Sequence, residues 1–132
     1  MSNPQSISPP VREFLARHIR SVDDLALLIA LVDTPERWWD ATTVAHELGI
    51  NQRSATIMLE HLARHDLLDI RITGDVRYQF APTSHALRED ALACAAAYRT
   101  DPLPLLRAVN MSRGRSALDF ADAFRIRRND NG

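Results

Sequence analysis

The sequence has no lysine: all sixteen of its positive side chains are arginine. Contacts with anions must then be made by guanidinium groups, whose rigid fork suits bidentate contact with phosphate or guanine. Cysteine is nearly absent. The single thiol, Cys94, excludes a disulfide within the chain and fits a reducing compartment. The four glycines are never grouped, so no glycine-rich loop can cradle a phosphate. No Gly-x-Ser-x-Gly elbow is present, and no His/Asp/Ser set stands at a telling spacing. These gaps argue against an enzyme, and no cofactor is expected. The longest apolar run, LALLIALV at 25–32, is far too short to span a bilayer, and no secretory leader is visible. The expectation is a cytoplasmic protein without a membrane partner. The formal net charge is −1, so the chain as a whole is not a strongly basic nucleic-acid binder.

With 132 residues, 45% of them hydrophobic, the chain can build one cored domain with an extension. That domain is organised around residues 40–68. Asp40 can cap a helix in which Val44, Ala45 and Leu48 share one side. Gly49 can end it in the left-handed conformation, with Ile50 turning back into the core. Asn51 can cap a second helix, whose buried stripe is Ala55, Met58, Leu59 and Leu62. Beyond Leu68, Ile70 and Ile72 alternate with Arg71 and Thr73, and Val76, Tyr78 and Phe80 alternate with Arg77 and Gln79. Period two predicts a hairpin with one apolar and one polar face, turning at Gly74-Asp75.

Two helices joined by a glycine turn and followed by a β-hairpin resemble the winged helix-turn-helix of small bacterial regulators of the MarR, ArsR and Rrf2 type. The resemblance covers about residues 21 to 82. It implies a mainly α fold: a three-helix core plus a β-hairpin wing, with N- and C-terminal helical extensions. It also implies a DNA-binding transcriptional regulator that dimerises through terminal helices, with the second motif helix in a major groove. Residues placed on the recognition helix are Asn51, Gln52, Arg53, Ser54, Thr56 and Ile57, the last departing from the polar or basic residue usual there in the family; Arg71 and Arg77 belong to the wing. Gln52 can read adenine, Arg53 guanine or a phosphate, and Ser54 and Thr56 either. Ile57 can meet a thymine methyl, but an exposed isoleucine also suits a protein-binding face. Glu60 puts a negative charge on the same side.

Three segments frame this motif: a flexible N-terminal arm at 1–10, a winged domain with its N-terminal helix at 11–82, and a helical extension at 83–132. The first helix, Val11 to Arg20, buries Phe14, Leu15 and Ile19. Ser21 caps the next, whose Leu25, Leu27, Leu28, Ile29, Leu31 and Val32 leave it apolar nearly all round. Such a helix is buried on two sides, the second against the first helix, the C-terminal helices or a partner chain. Of Trp38-Trp39, one indole is expected in the core and the segment beside the wing. A helix capped by Thr83 or Ser84 and running to about Arg99 is rich in alanine and suits either packing across the core or a homodimer, the latter favoured. Leu105 to Met111 and Ser116 to Arg128 are expected to be helical.

Charge divides unevenly. Residues 1–82 carry eight arginines against eleven acids, a net of −3, whereas residues 107–128 carry a net of +4. The basic tail is either a solvated helix face or an arm for phosphates or an acidic partner. His61 and His65 stand one turn apart and are read as surface residues, since two histidines without a cysteine pair make a weak metal set. Two partners remain: double-stranded DNA, or a protein bound by a winged-helix interaction module through Ile57, the tryptophans or the alanine-rich helix.

Overall fold

The computed structural model describes residues 7–111. The expected last helix and most of the arginine-rich tail lie outside the described residues. The first helix, α1 (Pro9–His18), begins inside the segment expected to be an arm. Ser8 caps it by accepting from the N–H of Val11. Pro9 and Pro10 occupy the first turn, where a missing N–H costs no hydrogen bond and a fixed φ suits the helix. Ile7 packs against the core, which anchors that start.

Helix α2 (Val22–Asp33) is capped by Ser21, which accepts from Asp24 N–H. Leu25, Leu27, Leu28 and Leu31 are fully buried. Its neighbours are α5 on the one hand and α3 with β2 on the other, so the C-terminal part of the same chain supplies the second cover. Asp24 is buried with them. Its Oδ2 accepts from both the backbone N–H and the Nε of Arg20, at 2.9 and 3.2 Å.

Helices α3 (Ala41–Leu48) and α4 (Gln52–Arg64) form the central motif. Asp40 accepts from Thr43 N–H, Asn51 accepts from Ser54 N–H, and both bonds are 2.7 Å. Gly49 has φ +68, and Ile50 N–H returns to Ala45 O at 3.0 Å. That 6→1 bond closes the helix, and the left-handed glycine permits it. The same closure ends α4 with Asp66 in the left-handed position, φ +66, and Leu67 N–H on Leu62 O. No glycine announces this second closure in the sequence.

Strands β1 (Leu68–Thr73) and β2 (Asp75–Phe80) pair antiparallel from Leu68↔Phe80 to Thr73↔Asp75. Gly74, at φ +98, stands alone at the tip. Asp75 already belongs to β2, so the turn is tighter than a Gly-Asp pair. Trp39 adds a third position to the sheet by exchanging two 2.7 Å backbone bonds with Tyr78. Its indole is buried and donates from Nε1 to Thr34 Oγ1 at 3.1 Å. Helix α5 (His85–Thr100), capped by Ser84, runs along α1 and α2. It buries Ala91, Cys94 and Ala95, and burial pushes the Cys94 thiol up to about 12, as expected for an inert cysteine. Residues 102–111 are helical, so Pro102 and Pro104 sit in the first turn of that segment and do not break it. Leu105 and Val109 carry its buried side.

Candidate nucleic-acid interface

Ala55, Met58, Leu59 and Leu62 turn one face of α4 into the core, and the opposite face is open. Gln52, Arg53 and Ile57 are exposed there, with Ser54 and Thr56 half-buried. Gln52 and Arg53 lie in the first turn, where the positive end of the helix adds to a guanidinium in attracting phosphate. Two expected readers are already engaged. The side-chain carbonyl of Asn51 holds the cap, leaving its amide NH₂ as the free group. The Thr56 hydroxyl donates to Gln52 O at 3.0 Å, leaving only its lone pairs. Among the described residues, no carboxylate lies within ion-pair distance of Arg53. Glu60, the acid on this face, stands 3.9 Å from Arg64, an exposed pair that softens its charge only slightly.

The wing presents its arginines as a pair. Arg71 and Arg77 are directly opposite in the register and so project from the same face. Like charges placed so repel, and each has a partner that offsets this. The guanidinium of Arg71 lies 4.4 Å from the centroid of the Trp38 ring. Arg77 Nε lies 3.3 Å from Asp75 Oδ2. Asp40 is held below the usual carboxylate range, first by the Thr43 N–H it accepts and further by Arg77 and Arg37 nearby. Residues 36–39 thus run beside the polar face of the wing, and Gln79 Nε2 fastens them by donating to Glu36 O at 3.0 Å. The place of Trp38 against Arg71 is not evident from sequence, where the signal is period-two polarity in the wing with aromatics just before the motif. Arg37 is a further missed cation, 3.7 Å over the Trp39 ring and 3.2 Å from Glu47.

The hairpin has the expected apolar face, and only Leu68, Tyr78 and Phe80 at its base are covered. Ile70, Ile72 and Val76 are 46%, 73% and 41% exposed. The reason is reach. Helices α4 and α2 meet the hairpin, and the outer half of its apolar face lies beyond the cover they give.

A third arrangement gathers residues that the sequence had left on the surface. His61 and His65 of α4 meet His18, and all three are half-buried. Among the described residues, no group of three or more His, Cys, Asp or Glu side chains is placed to hold a metal ion. The rings bond to one another and to a backbone carbonyl. Nor, among the described residues, is any helix long and apolar enough to cross a membrane.

A three-helix core closed by a hairpin, with α4 laid open on one side, is shared with solved structures. The chain is similar to the YusO protein of Bacillus subtilis at 16% identity and a TM-score of 0.51, over 89% of this chain and 83% of that one. The fold is a winged helix-turn-helix. The adhesin competence repressor of Streptococcus pyogenes is also similar, at 14% identity and a TM-score of 0.50, over 86% of this chain and 81% of that one. At such identity the likeness concerns the backbone path. By sequence, no protein-family model and no curated protein matches the chain. In this winged-helix framework α4 is the second helix of the helix-turn-helix, and β1 with β2 forms the wing.

Proposed function

We propose that this winged-helix chain is a DNA-binding transcriptional regulator acting as a homodimer. The observation that carries the reading is the open face of α4, where Gln52, Arg53 and Ile57 project from the first two turns. They are groups that can read base edges and hold phosphate. Arg71 and Arg77, side by side on the wing, add contacts that grip a backbone without reading sequence. A protein of similar fold, that of Streptococcus pyogenes, is named a repressor. The homodimer is supported by exposed apolar residues beyond the wing: Leu92, with Ala96 one turn on, and Leu103. Paired copies of α4 would then enter successive major grooves, roughly 34 Å apart.

Fluorescence anisotropy with a random duplex and with the DNA upstream of the protein's own gene, at two salt concentrations, tests this. The expected result is tighter binding to the specific duplex, weakening steeply with salt. Absence of binding at low salt would end the proposal.

One observation favours a second reading. The exposed wing residues Ile70, Ile72 and Val76, with Ile57 exposed on α4 as well, present more apolar surface than a DNA-gripping wing needs. In that reading the winged helix binds a protein partner without touching DNA. A stable hetero-complex recovered with the wild-type chain and lost in Ile72→Glu, together with no DNA binding, would establish it.

A further inference from the structure

His18 closes α1, and His61 and His65 stand one turn apart at the end of α4. Nδ1 of His18 lies 2.8 Å from Nδ1 of His65, with the rings edge to face and their centroids 5.0 Å apart. His61 Nε2 lies 2.7 Å from the carbonyl oxygen of His18, so that nitrogen carries a proton and donates. The His61 and His65 rings are 4.2 Å apart. The three side chains therefore fasten the end of α1 to the end of α4.

The Nδ1 pair has a strict proton requirement. A nitrogen–nitrogen contact of that length needs one N–H and one bare lone pair. With both rings neutral, or with one cationic, the contact stands. With both cationic, each Nδ1 carries hydrogen, no acceptor remains, and two positive charges face each other. Protons can reach the pair, since both rings line a cavity of about 510 Å³ whose wall includes Glu13, Arg17 and Asp90.

We propose that the His18–His65 contact is a proton-operated latch between α1 and α4, closed while the pair holds at most one extra proton and opened by the second. The charged groups around it oppose one another. On His18, Arg17 of α1 and both α4 histidines disfavour a proton, and Asp90 of α5 favours one. On His65, His61 and Arg20 disfavour it, and Asp66 and the buried Asp24 of α2 favour it. Burial is the largest influence on both rings, which are held below the ordinary histidine value. Because α1 lies along α5, the latch joins the helix bearing Gln52 and Arg53 to the α1/α5 layer. The latch itself stands on geometry alone. Its consequence for DNA rests on the function proposed above.

The test is a ring-nitrogen NMR titration of the full chain, without DNA, from pH 8 to 4.5, with amide hydrogen exchange of residues 16–20 followed in parallel. The two rings are expected to titrate as a coupled pair, the second proton entering about tenfold less readily than the first. Exchange at 16–20 is expected to rise at least about tenfold at that second step. In His65→Leu the His18 midpoint should move up and the exchange step should disappear. Independent titration of the two rings, or exchange that stays flat through the second step, would overturn the latch. The wild-type titration decides the matter even if the variant does not fold, and since no DNA is present, its outcome is separate from that of the DNA reading.

Discussion

Arg53 and Arg77 illustrate how differently two arginines of one surface can be held. Arg53 stands exposed in the first turn of α4 with no carboxylate near it among the described residues, whereas Arg77 is braced by Asp75 and lies close to Asp40. In the proposed complex the first is a base reader and the second a phosphate contact. Arg53→Ala should cost about 1–3 kcal/mol on the specific duplex and relax sequence preference, whereas Arg77→Ala should weaken specific and random duplexes alike. Anisotropy on both duplexes checks this, and equal behaviour of the two variants would remove the assignment of Arg53 as a reader. Another single residue stores strain. Asp66 holds the left-handed position that ends α4, a conformation costing a side-chain-bearing residue about 1 kcal/mol or more. Asp66→Gly should raise the unfolding free energy by about 1 kcal/mol in urea titrations. At Gly49, with φ +68, the converse holds. A Cβ there meets nothing within 4 Å, so the cost of Gly49→Ala comes from the backbone and not from a clash.

At the scale of elements, the wing and α4 divide their surfaces differently. Helix α4 buries a narrow stripe and leaves a polar flank, as an amphipathic helix at the edge of a core must. The hairpin is covered at its base; beyond it the apolar face is bare, while Trp38 lies against Arg71 on the polar face. Ile72, 73% exposed near the tip, adds little packing. Ile72→Thr should therefore change stability by less than about 0.5 kcal/mol while lowering self-association at high concentration in analytical ultracentrifugation. A large loss of stability would mean that another element covers Ile72. Inside the core the contrast is sharp. Leu59 is fully buried, and Leu59→Ala should cost about 2–5 kcal/mol in the same urea assay.

For the whole molecule, pH acts through the histidines at the meeting of α1 and α4. His18 and His65 hold a proton less tightly when folded than the ordinary value of 6.5. The unfolded chain therefore binds more protons as the pH drops below that value. Their contribution to stability is complete above about pH 6.5 and is lost progressively below it. Urea midpoints should fall between pH 7.5 and pH 5.5, and the fall should shrink in His65→Leu. A midpoint that rises over that interval would contradict the assignment.

Local chemistry along the chain determined the elements. Asp40, Gly49 and Asn51 mark helix ends because caps and left-handed turns depend on neighbours within four residues. The stripe Ala55, Met58, Leu59 and Leu62 and the period-two wing follow from the geometry of helix and strand, so the winged helix-turn-helix and its open α4 face were legible before any coordinates. Tertiary structure alone decided what lies far apart in sequence: that His18 meets His65, that Arg71 rests on Trp38, that Asp24 is buried, and that α5 supplies the second cover of α2. It also decided where cover stops, leaving Ile70, Ile72 and Val76 open although their pattern matches that of buried strand residues. Periodicity shows which residues share a face. Whether anything packs on that face depends on the length and placement of the elements opposite.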